Sequence, residues 1–96
     1  MKIDFRKNED ILEISLDGRL DTITAPQCEE FLNLNVTSGL SVTIDCEKLE
    51  YVSSAGLRIL LALTKKTKNR LSLVNVQELV MEVLEVTGFV NILEIK

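Results

Sequence analysis

The stretch Leu40-Ser41-Val42-Thr43-Ile44-Asp45 decides how this chain folds. Its apolar side chains fall on every second residue, the period of a strand that buries one face. A strand buried on both faces reads instead as an unbroken apolar run. Further along, Ser72 interrupts Leu71 and Leu73 in the same way. The pattern predicts a sheet covered by helices on one face and partly wet on the other. Right-handed crossovers that advance in one direction produce that layout.

Working outward toward the N-terminus, Thr24-Ala25-Pro26-Gln27 reads as a capping box, with the Thr24 hydroxyl accepting from a first-turn amide and Gln27 reaching back. It predicts a helix over 25–34, with Phe31 and Leu32 inward, and Ser38-Gly39 releases the chain into the next strand. Before it, Leu12, Ile14 and Leu16 alternate with polar residues, and Gly18 reads as the end of that strand. Ile3 and Phe5 mark a first strand, joined to the second through Asn8-Glu9-Asp10 as a hairpin.

Toward the C-terminus, Leu49, Tyr51 and Val52 read as a loop leading to Ser53-Ser54-Ala55-Gly56. Leu57, Leu60, Leu61 and Thr64, widened by Ile59 and Leu63, mark the apolar face of a second helix. A strand over 71–74 follows. Asn75 with Glu78 reads as the cap of a third helix whose apolar positions include Leu79, Val80, Val83 and Leu84, and Gly88 stops it. Ile92, Leu93 and Ile95 form a last short strand. The order β-β-α-β-α-β-α, with a final β, predicts an α/β fold with a small mixed sheet of about four or five strands and helices mainly on one face. All of it fits a single domain over residues 1–96.

Composition narrows the function. The chain has 96 residues, 46% of them hydrophobic and 27% charged, which is globular rather than collagen-like or disordered. No apolar run approaches the ~20 residues of a membrane span. Met1-Lys2-Ile3-Asp4-Phe5 does not read as a secretory leader, so the expected place is the cytoplasm, without membrane insertion. A net charge of −4 argues against a stripe of phosphate contacts, and nucleic acid is not an expected partner. Lys65, Lys66, Lys68 and Arg70 read as the solvated end of a helix, where cations suit the dipole. There is no histidine, which removes Ser-His-Asp and Cys-His catalysis and most zinc sites. Cys28 and Cys46 read as reduced, half-buried thiols. Neither a cofactor nor a metal is expected, and a monomer is the default assembly.

Two segments carry candidate chemistry. In the first, Asp45 to Leu61, a strand end leads through two serines and small residues into a helix. Functional groups of open α/β sheets gather beyond the carboxyl ends of strands. Ser53 and Ser54 stand where a helix begins, and free amides of Ala55, Gly56 and Leu57 there would stabilise an anion such as a phosphate on a serine. Gly56 would keep the approach open. The plainer reading is that one of the serines simply caps the helix. The segment is neither G-x-S-x-G nor a phosphate-cradling glycine loop. In the second segment, Gly18 to Pro26, Asp21 lies between a strand end and a helix and reads as a turn residue, with Arg19 a solvated side chain.

Gly18-Arg19-Leu20-Asp21 with Thr24-Ala25-Pro26 resembles the first motif of STAS domains, the bacterial anti-sigma factor antagonists. Asp45, Leu49 and Tyr51 with Ser53-Ser54-Ala55-Gly56-Leu57 resembles their second motif. The resemblance spans almost the whole chain. It implies a β-α superhelical core and a partner-switching role: binding an anti-sigma factor that is also a serine kinase, release on phosphorylation, and reset by a phosphatase. By motif position Ser54 corresponds to the phosphoacceptor, and Asp21 to the aspartate beside it. Many members carry aspartate just before the acceptor, where this chain has Ser53, so Ser53 stands as the alternative acceptor. Many also continue with a further helix after the segment matching Gly88. The expected partner surface comprises Asp21, Thr22, Thr24, Ser53, Ala55, Gly56 and Arg58, with Lys65 at its rim. A different reading is a phosphorylation-independent STAS adaptor in a signalling or lipid-transport complex.

Overall fold

The computed structural model describes residues 1–37 and 39–96. Ser38, part of the expected turn into the third strand, lies outside the described residues. Within them, one sheet is built from β1 (Lys2–Asn8), β2 (Ile11–Leu20), β3 (Ser41–Asp45), β4 (Leu49–Val52), β5 (Leu71–Val74) and β6 (Glu94–Ile95). Helices α1 (Ala25–Asn35), α2 (Ser54–Lys66) and α3 (Glu78–Val86) are interleaved with the strands. The strands lie in the order β1-β2-β3-β5-β6, with β4 beside the end of β2. The hairpin pair β1 and β2 is antiparallel, and every other described pairing is parallel.

Burial follows the alternation read from the sequence. Leu12, Ile14, Leu16, Val42, Ile44, Leu71 and Leu73 are buried on one face of the sheet. Glu13 on the opposite face is exposed, and Ser15, Thr43 and Ser72 there are half-buried. Helices close the apolar face with Leu32 of α1, Leu57, Leu60 and Leu63 of α2, and Val80 and Leu84 of α3. Each fully buried leucine or isoleucine contributes about 1.5–3 kcal/mol over leaving it in water. The α/β class, the mixed sheet and its covering on one side are therefore as the pattern predicts.

Several local readings need correction. The segment read as a loop at Leu49, Tyr51 and Val52 is a strand, β4, because Leu49 and Val52 are buried while Glu50 stays exposed. The strand read as ending at Gly18 continues to Leu20. Gly18 instead marks a shift in pairing with φ +116°, a conformation glycine adopts without a Cβ clash. Helix α1 extends to Asn35, and Phe31 is half-buried, its ring 4.9 Å from Phe5. Asn75 does not cap α3. Its backbone is left-handed at φ +56° and its side-chain Nδ2 donates to Asp45 Oδ1 at 3.1 Å, while Gln77 takes the N-cap position. Gly88, at φ +79°, does terminate the helix, and β6 shrinks to two residues with Ile92 outside it.

Both cysteines are buried and free. Burial pushes the Cys28 thiol up to about 11 and the Cys46 thiol up to about 12, so both stay protonated and unreactive.

Candidate functional site

Strand β4 brings the two motifs together. It pairs in parallel with the end of β2, setting Arg19 opposite Tyr51 and Leu20 opposite Val52. The Ser53 amide then donates to the Leu20 carbonyl at 2.9 Å. Asp21 and Ser53 are thus the next residues along two neighbouring strands, both at carboxyl ends.

On the β2 side, the expected capping box does not form. Thr24 has helical backbone angles, and its hydroxyl makes no cap bond to α1. Gln27 donates to the Met1 carbonyl instead. Asp21 organises the turn that leads into α1: its carboxylate accepts from the Ile23 amide at 3.0 Å and the Thr24 amide at 3.1 Å, and its carbonyl accepts from Ala25 at 2.8 Å. Thr24 Oγ1 accepts from the Asp21 amide at 2.9 Å and donates to the Arg19 carbonyl at 2.6 Å. The Thr24 amide holds the Asp21 carboxyl below the usual carboxylate range, helped by the Ile23 amide, the Thr24 hydroxyl and the Arg19 guanidinium, and opposed by desolvation. Arg19 is more than a solvated side chain. Its Nε lies 3.7 Å from Asp21 Oδ2, and its guanidinium sits 4.4 Å over the Tyr51 ring.

On the β4 side, Ser53 occupies the N-cap position of α2 with extended backbone, yet its hydroxyl makes no cap bond. Its Oγ is buried without a hydrogen-bond partner among the described residues. Ser54, the first helical residue, is exposed. The Leu57 amide is used by the Ser53 carbonyl at 2.9 Å. The three amides left without a backbone acceptor among the described residues are therefore those of Ser54, Ala55 and Gly56. Gly56 is buried, and its lack of a side chain serves packing. A Cβ there would lie 2.7 Å from Val52 Cγ2, 2.8 Å from Leu20 Cγ and 2.9 Å from the Leu20 carbonyl oxygen. That close approach seats the start of α2 on the ends of β2 and β4.

The remaining candidates surround this junction. Thr22 and Arg58 are exposed, Thr24 and Ala55 are half-buried, and Lys65 lies exposed in the last turn of α2. The sequence reading passed over Ile23, which is 87% exposed in the same loop as Asp21. Its signal was an isoleucine outside any apolar periodicity. Among the described residues, no cluster of carboxylates and thiols is arranged to hold a metal, and no helix is long and apolar enough to cross a membrane.

The STAS domain family model matches residues 2–96. The chain belongs to the STAS domain family. It is 34% identical to BtrV of Bordetella bronchiseptica, named as a candidate anti-sigma factor antagonist, over 96% of this chain and 83% of that protein. It is 30% identical to the anti-sigma-B factor antagonist of Listeria monocytogenes, over 94% of this chain and 82% of that one. The fold matches the Bacillus cell fate determinant SpoIIAA in its phosphorylated form with a TM-score of 0.70, at 16% identity, covering 99% of this chain and 91% of that chain.

Proposed function

We propose that this STAS domain is an anti-sigma factor antagonist, a regulatory binding module rather than an enzyme. Its docking surface is the junction of the Asp21–Pro26 loop with the start of α2, and phosphorylation of Ser54 switches it off. The partner is an anti-sigma factor with serine kinase activity, and a serine phosphatase resets the switch. The single observation that carries this reading is the contrast between the two serines: Ser54 is exposed beside open helix amides, whereas the Ser53 hydroxyl is buried. The names of the relatives in Bordetella and Listeria support the class of partner.

The kinase supplies the phosphoryl chemistry, so this chain need only present a hydroxyl. A phosphoserine brings about −1.5 to −2 charge. Open amides at the start of α2 accommodate that charge within the chain. A partner patch matched to a neutral hydroxyl beside ionised Asp21 meets a strongly negative surface instead. Like charges juxtaposed across an interface cost several kcal/mol, and each 1.4 kcal/mol is tenfold in affinity. Release follows with the fold intact.

The test is incubation of the chain with the anti-sigma factor kinase and MgATP, read by intact mass and by binding. One phosphoryl group is expected on wild type and on Ser53→Ala, none on Ser54→Ala, and loss of binding on modification. Transfer to Ser53 would move the switch by one residue. No transfer, with binding indifferent to Ser54→Asp, would replace this function by the phosphorylation-independent adaptor.

A further inference from the structure

One border of the sheet is open. Strand β1 is the outermost strand and pairs only with β2 among the described residues, leaving the N–H and C=O groups along its outer side free. Apart from half-buried Ile3, every residue of this seven-residue strand is exposed. An open edge of that length is a template for another strand.

The two faces of this edge differ. Ile3, Phe5 and Lys7 stand opposite the buried residues Leu16, Ile14 and Leu12, so they lie on the helix-covered face. There Phe5 remains 54% exposed with its ring against Phe31, and Leu34, one helical turn further, is 76% exposed. Phe5 and Phe31 make an apolar flank along the border. The other face presents Lys2, Asp4, Arg6 and Asn8.

Those charges are self-complementary in the one register that pairs the whole strand; an axis through Ile3 also sets Lys2 against Asp4 twice, but it overlaps only residues 2–4 of β1. A second copy laid antiparallel must keep each face matched, so registers differ in steps of two residues. With a two-fold axis through Phe5, Asp4 faces Arg6 of the other copy twice, Phe5 faces Phe5, and Lys2 faces Asn8. Moving the axis to Asp4 sets aspartate against aspartate and Lys2 against Arg6. Moving it to Arg6 sets arginine against arginine. Charges placed only to keep an edge solvated have no reason to select a register. Within one copy, Lys2 lies 3.9 Å from Asp4 and Arg6 lies 3.4 Å from Glu13, but both pairs are exposed and hold little of these charges.

We infer that β1 is a self-recognition edge: two copies join their β1 strands antiparallel about an axis through Phe5, forming one sheet continuous across the pair. Composition gave no sign of this, because it does not tell a wrapped strand from a bare one. The pairing uses none of the residues of the Ser54 junction, so each pair would carry two switchable docking sites, and the inference does not depend on the proposed switch.

Sedimentation of the full chain over a concentration series at low salt tests it, with circular dichroism confirming that each variant is folded. Wild type should dimerise. Asp4→Arg and Arg6→Asp should each weaken the dimer about tenfold or more, since the symmetry counts every cross-strand pair twice. Mixing these two variants should restore association, as a heterodimer in which a doubly positive strand meets a doubly negative one. A wild type that stays monomeric to about millimolar concentration overturns the inference. So does a dimer indifferent to these charges and to Phe5→Lys, and so does failure of the mixture to associate.

Discussion

Helices α1 and α2 both begin just past the carboxyl ends of neighbouring parallel strands, and they begin in opposite ways. At α1 the polar groups close on one another: the Asp21 carboxylate takes two amides, and Thr24 bridges the Asp21 amide and the Arg19 carbonyl. At α2 the serine in the N-cap position turns its hydroxyl into the protein, and three first-turn amides have no backbone acceptor among the described residues. The turn leading into α1 is braced by its own side chains. The start of α2 is left open next to an exposed hydroxyl. The difference teaches that a helix N-terminus can be reserved for a group not always present, provided its neighbour supplies a rigid frame.

The largest expected effect breaks the comparison by filling the open end. Ser54→Asp places a carboxylate where the first-turn amides point. Affinity for the anti-sigma factor should fall about 10–100-fold, while the fold gains about 0.3–1 kcal/mol from the helix dipole. Isothermal titration and thermal melting read the two effects separately. A drop in both would assign the lost binding to damage rather than to charge.

Next in size is the contact that sets α2 against the frame. Gly56→Val drives a side chain into Leu20 and Val52, where even a Cβ comes within 3.0 Å of three atoms. A loss of about 1–3 kcal/mol is expected, from overpacking. For a domain of this size each kcal/mol lowers Tm by roughly 4–8 °C. An unchanged Tm would mean that the start of α2 is free to lift away from β2.

How much of this was legible in the sequence divides along the same line. Periodicity exposed the sheet and the helices, because Leu40, Val42 and Ile44 or Leu57, Leu60 and Leu63 repeat at the spacing their element requires. The open end of α2 was half legible: a serine before small residues marks a helix start, but not which hydroxyl turns inward. The braced turn into α1 was misread. Thr24 and Gln27 have the spacing of a capping box, yet Asp21 lies three residues earlier and its ionised carboxylate is the stronger acceptor. Strand β4 escaped because Leu49-Glu50-Tyr51-Val52 is too short for its alternation to stand out. Periodicity therefore could not show the nearness of Asp21 to Ser53, which is a matter of register; only the resemblance to the STAS motifs implied it.

Two smaller effects probe the closed end. Thr24→Val removes a hydroxyl that accepts from Asp21 and donates to Arg19. It should lower stability by about 0.5–1.5 kcal/mol for each bond lost, with weaker binding because the Asp21 loop loses its brace. The Asp21 carboxyl itself sets an acid limit. Its pKa is lower folded than unfolded, so its contribution is complete above the ordinary value of 3.8 and disappears as pH falls through the folded value. Asp21→Asn should therefore flatten stability against pH below about 4 and leave the slope near neutrality unchanged. A variant curve parallel to wild type throughout would show that the amides of Ile23 and Thr24 do not favour the charged carboxylate.

The smallest effect has the most informative sign. An ordinary N-cap serine replaced by alanine costs about 0.5–2 kcal/mol. Here the Ser53 hydroxyl is buried, caps nothing and has no partner among the described residues. Burying an unpaired hydroxyl is itself unfavourable, so Ser53→Ala should leave stability unchanged or raise it by up to about 1 kcal/mol. Chemical denaturation at constant m-value resolves a difference of that size. The measurement bears directly on what the end of α2 is kept for. A cost typical of a cap would mean that Ser53 turns its hydroxyl onto the helix amides in solution, closing the end that Ser54 is proposed to fill. Neutrality or a gain would leave those amides open, and Ser54 would stand as the residue whose modification they receive.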